Sequence, residues 1–114
     1  MLYNGLYFSA HWCPPCRGFT PVLAEQYTKM KGEGKNFEII FISSDRDQSA
    51  FDEYYNEMPW NALPFTATEQ IQNVKQRYGI RGIPTLVILD TDGSTISQDG
   101  RSLITSKPDG FPWK

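Results

Sequence analysis

Residues 7–17, "YFSAHWCPPCR", decide the fold, and they contain both cysteines of the chain, Cys13 and Cys16. Only two prolines separate these cysteines. A disulfide between them would close a very small loop and would therefore restrict the unfolded chain very little. The pair is better explained by thiol chemistry than by a structural role, which favours a catalytic or sensing dithiol in a reducing compartment.

The position of the pair gives the two sulfurs different roles. A strand is predicted at residues 3–9 and a helix from about residue 15 to 31, with Phe19 and Val22 on its apolar face. A helix N-terminus carries partial positive charge and free N–H groups, so Cys13 is predicted to be the exposed nucleophile with a lowered pKa. Cys16, one turn later, is placed to attack a mixed disulfide on Cys13.

The two prolines refine this prediction. Neither Pro14 nor Pro15 has an N–H, so the first amide able to reach the Cys13 sulfur belongs to Cys16, as in an N-cap. A proline also disfavours the helical conformation of the residue before it, which predicts that the helix begins properly only at Pro15.

The rest of the chain predicts one α/β domain over residues 1–114. Residues 37–43, "FEIIFIS", and 85–90, "TLVILD", predict buried strands, and a turn at 90–93 leads to a partner strand at 94–98. One helix is predicted to end at Pro59, and another to begin at a capping box formed by Thr66 and Glu69. The tail from residue 100 onward is predicted to be largely irregular because it is rich in proline and glycine.

Composition and charge exclude several classes of partner. The formal net charge is −2 with both signs scattered, so no basic stripe indicates binding to nucleic acid or to an anionic membrane. No apolar run reaches the roughly 18–20 residues that span a bilayer, and the first residues lack the pattern of a signal peptide. A zinc site is disfavoured because His11 is the only additional soft ligand. A pair of chemically inert, buried cysteines remains an alternative explanation of the motif.

Several stretches together resemble the thioredoxin superfamily, and most closely its nucleoredoxin and tryparedoxin branch. These stretches are "WCPPCR" at 12–17, "FEIIFISSDRD" at 37–47, "YYNEMPWNALPF" at 54–65 and "YGIRGIPTLVILD" at 78–90. The resemblance covers roughly residues 3–101 and implies a thioredoxin fold, a central mixed four-stranded sheet flanked by helices. Strand 37–43 would lie beside 3–9, with 85–90 and 94–98 on the other side.

The usual fold has a strand and a helix before the CxxC strand, and these are not found before residue 3. Strand 37–43 would then lie at an open edge of the sheet, which is a pairing hazard. We therefore expect either that the chain is part of a longer protein or that it pairs through this edge.

The resemblance also implies thiol–disulfide exchange. Cys13 and Cys16 would form the redox-active couple without a metal or an organic cofactor. The substrates would be protein disulfides, with electrons supplied by an upstream dithiol donor. Pro84 would be the family's cis-proline, and the backbone of Ile83 would pair with an extended substrate segment beside Trp12.

The groups that tune the couple are less well defined. His11 and Arg17 flank the motif and could add positive potential, but ordinary surface roles explain them equally well. Many thioredoxins bury a carboxylate where this chain has Tyr7, so the proton acceptor for Cys16 is unassigned. Asp45 is a weak candidate, since a turn role in "SSDRD" explains it better.

A second function is compatible with the same residues. Proteins resembling nucleoredoxin are thought to bind signalling partners and to release them when the CxxC oxidises, with little turnover. The resemblance further implies a cytoplasmic or nuclear location. The sequence does not separate such a redox-gated binding module from a protein-disulfide reductase, because both need Cys13 and Cys16.

Overall fold

The computed structural model describes residues 1–114 as five strands and four helices. In chain order these are β1 (Tyr3–Ser9), α1 (Pro14–Gly32), β2 (Phe37–Ser43), α2 (Gln48–Tyr55), β3 (Asn61–Ala62), α3 (Thr68–Arg77), β4 (Thr85–Leu89), β5 (Thr95–Ser97) and α4 (Gly100–Ser106). No helix among the four is both long enough and apolar enough to cross a membrane.

The strands form one mixed sheet in the order β3-β2-β1-β4-β5. Strand β1 is parallel to β2 and antiparallel to β4, and β5 closes a hairpin with β4. This confirms the predicted order of four strands but adds β3. Because β3 pairs with β2 at Ile40 and Phe41, the middle of β2 is covered, and β2 is not the edge strand that was predicted.

Helices pack on both faces of the sheet, as the nearly continuous apolar character of its central strands requires. Along β1 the side chains alternate, so Tyr7 enters the larger core while Leu6 and Phe8 enter the smaller one. The larger core takes residues from α1, α2 and α4, and the smaller core takes Ile71 from α3. The carboxyl end of β1 therefore emerges between two packed layers and leads directly into the CxxC turn.

Helix α1 differs from its prediction in two places. It begins at Pro14 rather than Pro15, because a first helical position needs no N–H and suits the fixed φ of proline. Val22, predicted on the buried face, is 45% exposed, whereas Thr20 is 1% exposed. The threonine is accepted in the interior because its hydroxyl donates to the Cys16 carbonyl oxygen at 2.9 Å.

The capping box predicted before α3 is wrong. The cap is Ala67, no side chain caps this helix, and α3 begins at Thr68. A turn closed by the Ala67 N–H and the Pro64 carbonyl oxygen, 2.9 Å apart, occupies residues 64–67. Thr66 lies inside this turn, so the helix can only begin after it.

The tail is more regular than predicted. Residues 100–106 form α4, which packs on β4 through Gly100 and Ile104. A Cβ at Gly100 would lie only 2.7 Å from the Leu86 carbonyl oxygen, so glycine allows this close approach. Beyond the helix, Phe111 and Trp113 pack edge-on against Phe37. These contacts explain the error, since the tail is ordered by the core rather than by its own local sequence.

Candidate redox site

The two cysteines lie where β1 passes into α1, and both are free thiols. Cys13 is the N-cap of α1, and its sulfur accepts the Cys16 N–H at 3.3 Å. This confirms the contact predicted from the two prolines that lack N–H groups. The Cys13 N–H in turn donates to the Ala10 carbonyl oxygen at 3.3 Å, which fixes the turn that presents the pair.

Cys13 is less exposed than predicted. Only 5% of it is accessible, because it packs with Ala10, Cys16 and Ile83 in a small cluster. It nevertheless lines an open cavity of about 460 Å³, whereas Cys16 is fully buried and does not border that cavity. Of the two sulfurs, Cys13 is therefore the one that a substrate in the cavity can reach.

The loop before β4 crosses over the cysteines. The Ile83–Pro84 peptide bond is cis, which confirms the prediction for Pro84. The Cys13 thiol points to the Ile83 carbonyl oxygen at 3.9 Å, and the Ile83 side chain lines the same cavity. Pro84 itself is buried. The structure thus brings Cys13 and Ile83 together, whereas Pro84 does not line the cavity that contains Cys13.

Trp12 also lines this cavity. Its side chain is 48% exposed, and its indole Nε1–H donates to the Ser44 carbonyl oxygen at 2.9 Å. The Arg46 guanidinium lies 5.2 Å from the ring centroid, within cation–π range. The hydrogen bond and the stacked arginine hold a large apolar surface in place beside the Cys13 sulfur.

Burial makes the Cys16 thiol hard to ionise. It raises the pKa of Cys16 to about 11, and the hydrogen bond with Cys13 acts in the same direction. The Ser9 hydroxyl and the Ala10 backbone are placed to favour the thiolate, and they oppose this rise in the pKa of Cys16. Cys16 is therefore held as a thiol, and Ser9 is the side-chain hydroxyl placed to stabilise negative charge on its sulfur when it ionises.

A cluster of four buried hydroxyl groups lies behind Cys16. Ser9 and Tyr54 are joined at 2.6 Å, Thr20 and Tyr54 at 2.5 Å, and Tyr7 and Thr20 at 2.7 Å. Burial raises the pKa of Tyr7, whose hydroxyl bonds Thr20 and the Cys16 carbonyl oxygen. Tyr7 is thus a neutral phenol that occupies the place of a carboxylate without replacing it as a base.

The residues predicted to tune the pair have other contacts. The His11 ring stacks on Tyr54 with centroids 5.3 Å apart, and its Nε2 lies 3.9 Å from Glu57 Oε2. Arg17 is exposed on α1, and its backbone N–H donates to the Cys13 carbonyl oxygen at 3.1 Å. The structure therefore places both residues beside the motif without a side-chain contact to either sulfur.

Asp45 is a structural residue of the adjacent loop. Its Oδ1 accepts the His11 backbone N–H and its Oδ2 accepts the Ser43 hydroxyl, both at 2.7 Å. The Asp45 N–H donates back to the Ser43 oxygen at 2.8 Å. This confirms the turn role that the sequence favoured for Asp45. The same carboxylate also fixes the backbone that leads into the CxxC.

The fold and this site agree with a comparison to known proteins. A family model described as thioredoxin-like matches residues 3–95. The chain belongs to the thioredoxin-like family. It is 50% identical to nucleoredoxin from Homo sapiens over 111 residues, which is 96% of this chain and 26% of the human protein. The chain thus spans about a quarter of the length of the nucleoredoxins that it matches.

Tryparedoxins match over more of their length. The chain is 49% identical to tryparedoxin from Trypanosoma brucei brucei over 111 residues, 95% of this chain and 76% of that protein. Among solved structures, tryparedoxin I from Leishmania major superposes with a TM-score of 0.92 at 42% identity, covering 99% of this chain and 80% of that chain. These thioredoxin-like relatives and the CxxC geometry together support a thiol redox function.

Sequence reasoning missed several residues of this thioredoxin-like site. Thr20 had a usable signal, because it lies four residues after Cys16 and therefore on the same helix face. Ser9, Tyr54 and Lys75 had none, since only the tertiary fold brings them to the cysteines. Lys75 donates from Nζ to the Ser44 hydroxyl oxygen at 2.6 Å and lines the cavity that contains Cys13.

Proposed function

We propose that this chain is a thiol–disulfide oxidoreductase that reduces protein disulfides with its CPPC dithiol. The observation that carries the proposal is the asymmetry of the pair. Cys13 borders an open cavity and accepts the Cys16 N–H, while Cys16 is sealed behind it as a thiol of raised pKa. A nucleophile in front of a buried resolving thiol is the arrangement that sequential thiol–disulfide exchange needs.

In the first step the Cys13 thiolate attacks one sulfur of the substrate disulfide. The S–S bond of the substrate breaks, a Cys13–substrate disulfide forms, and the other substrate sulfur leaves as a thiolate that takes up a proton. The Cys16 N–H, 3.3 Å from the Cys13 sulfur, donates to the sulfur while it carries negative charge. An extended substrate segment pairs with the Ile83 backbone and packs against Trp12.

In the second step Cys16 loses its proton and attacks the Cys13 sulfur. The mixed disulfide breaks, and the second substrate sulfur leaves as a thiolate that takes up a proton. A Cys13–Cys16 disulfide forms, so the dithiol has been oxidised by two electrons and the substrate disulfide has been reduced by two. This step can begin only after the mixed disulfide has formed, and burial of Cys16 limits its rate because the buried thiol ionises only at high pH. An upstream dithiol donor then reduces the pair.

Two single substitutions test this sequence of events with insulin disulfide as the substrate. Cys13→Ser abolishes reduction, whereas Cys16→Ser accumulates a covalent mixed disulfide through Cys13 that dithiothreitol reverses. Ser106→Ala, which removes an exposed hydroxyl bonded only to the Ser102 carbonyl oxygen on α4, serves as the control and retains turnover. Full turnover by the Cys13→Ser protein would refute the proposal.

The same proteins separate reduction from redox-gated binding. A reductase loses its partners when Cys13 is changed to serine, because retention is covalent. A binding module instead retains partners with the Cys13→Ser protein and releases them only on oxidation of the wild type. If the Cys13→Ser protein retains partners and the wild type does not reduce insulin, the function is redox-gated binding and not disulfide reduction.

A further inference from the structure

The cavity that contains Cys13 has two cationic side chains in its wall. Lys75 from α3 and Arg81 from the loop before Pro84 both line it, and they share a second, adjoining cavity of about 550 Å³. A third cation, Arg46, lies over the ring of Trp12, which lines the same cavity. Three positively charged side chains thus lie in or beside the wall of the cavity that contains Cys13, in a chain whose net charge is −2.

These cations have no carboxylate partner. Of the eleven lysine and arginine residues, only Lys29, Lys31, Lys35 and Lys114 have a carboxylate within salt-bridge distance. The carboxylate of Asp45 borders a further cavity lined by Lys75, but the His11 N–H and the Ser43 hydroxyl engage its two oxygens. The positive charge around Cys13 is therefore available to a ligand.

Lys75 is the best placed of these groups. It is half-buried, and its hydrogen bond to the Ser44 hydroxyl fixes the ammonium beside the Trp12 wall. That bond uses one of three N–H donors, so two are free to meet an anion. A partly desolvated ammonium gains more from a carboxylate than a fully solvated one, because water screens the pair less.

We infer that Lys75 and Arg81 form a carboxylate subsite, through which the protein prefers disulfides that have an acidic side chain close to the reacting cysteine in a peptide chain. The inference rests on the proposed reductase function and adds a substrate class to it. A peptide fits because the cavity wall continues into the backbone of Gly82 and Ile83, which an extended segment can follow.

The test uses pairs of peptide disulfides that differ only by Glu or Gln, scanned over three positions on either side of the cysteine. At the best position the wild type reduces the Glu peptide about fivefold faster, the size expected for a partly screened ion pair. Lys75→Met brings this Glu/Gln ratio close to one, Lys75→Arg retains it, and Lys75→Glu favours a Lys peptide instead. Each comparison is a ratio within one protein, so a general loss of rate cancels.

Lys107→Met is the matched control, because Lys107 borders none of the cavities that Lys75 lines. It keeps the wild-type ratio. A wild-type ratio of one at every position overturns the subsite while leaving the reductase intact, and so does a ratio that Lys75→Met does not change. Failure to reduce either peptide overturns the reductase and the subsite together.

Glutathione disulfide forms a second arm, since its carboxylates belong to a small molecule. The peptide assignment predicts that Lys75→Met lowers the Glu/Gln peptide ratio. An effect of Lys75→Met confined to glutathione disulfide would transfer the subsite to a small-molecule substrate and would overturn the peptide assignment.

Discussion

Ser9→Ala should slow the resolving step without slowing the first attack. Ser9 is the only side-chain hydroxyl placed to stabilise negative charge on the Cys16 sulfur, so its removal should raise the Cys16 pKa further. A hydrogen bond to an ionised group is worth about 1.5–3 kcal/mol and one pKa unit about 1.36 kcal/mol. Because the Ser9 hydroxyl has one proton and also contacts Tyr7 and Tyr54, we expect the low end, about one unit.

The effect on rate is smaller than the effect on ionisation. A rise of about one unit lowers the thiolate fraction about tenfold, but the more basic thiolate is more nucleophilic, with a Brønsted coefficient of about 0.4–0.5. The two effects leave a net slowing of about three- to fourfold. Reaction of the reduced protein with a limiting amount of an aromatic disulfide in a stopped-flow instrument releases one coloured thiol per step. The second phase should slow, and the first should not.

Thr20→Val is the control for this prediction. Thr20 belongs to the same buried cluster and bonds Tyr7, Tyr54 and the Cys16 carbonyl oxygen, but it does not contact the Cys16 sulfur. It should therefore lower stability much as Ser9→Ala does and leave the second phase unchanged. An unchanged second phase in Ser9→Ala, or the same slowing in both variants, would refute the role of Ser9.

Three further predictions concern stability, each measured by urea denaturation. Gly100→Ala should lower the free energy of unfolding by about 1–3 kcal/mol, because its Cβ would lie 2.7 Å from the backbone of β4. Gly18 has open space around it, so Gly18→Ala should raise the free energy of unfolding by about 0.5–1 kcal/mol. Equal effects of the two substitutions would contradict the packing of α4 on β4. Asp45→Ala should lower the free energy of unfolding by about 1–3 kcal/mol, because it leaves the His11 N–H without an acceptor. Asp45→Asn should lower it less, because its amide oxygen can still accept that N–H. An equal loss in both variants would contradict the role of Asp45 in holding the loop. Burial opposes ionisation of Glu38, but hydrogen bonds from its neighbours outweigh it and lower the pKa of Glu38 below 4.5. The contribution of Glu38 to stability is therefore complete above its unfolded-state pKa and is lost as the pH falls through its lower folded-state pKa. Glu38→Gln should therefore flatten the loss of stability as the pH falls below about 5.

The sequence was sufficient for the elements whose pattern is local and strong. Strands β1 and β2 were predicted with the bounds that the structure has, because each is a short stretch rich in apolar and aromatic residues that ends at a serine. Strand β3 has only two residues and no periodicity, so only its pairing with β2 reveals it. Helix α4 begins at a glycine and is defined by its contact with β4, which no local rule detects.

In the candidate site, too, the sequence predicted the contacts that depend on neighbouring residues and missed those that depend on the tertiary fold. The Cys16 N–H contact to Cys13 followed from the missing N–H groups of two prolines, which is local information. The low exposure of Cys13 did not follow, because it depends on Ile83 from a distant loop. Lys75 could not be identified either, since nothing in the sequence of α3 indicates that its lysine lines the cavity that contains Cys13.

The central claim is that Cys13 attacks and Cys16 resolves. Timed alkylation of the reduced protein with iodoacetamide, with fragmentation mass spectrometry to locate each modified cysteine, tests it most directly. Because Cys13 borders the cavity and Cys16 is fully buried with a pKa of about 11, the label should appear on Cys13 at least about tenfold faster. Equal labelling, or earlier labelling of Cys16, would contradict the account.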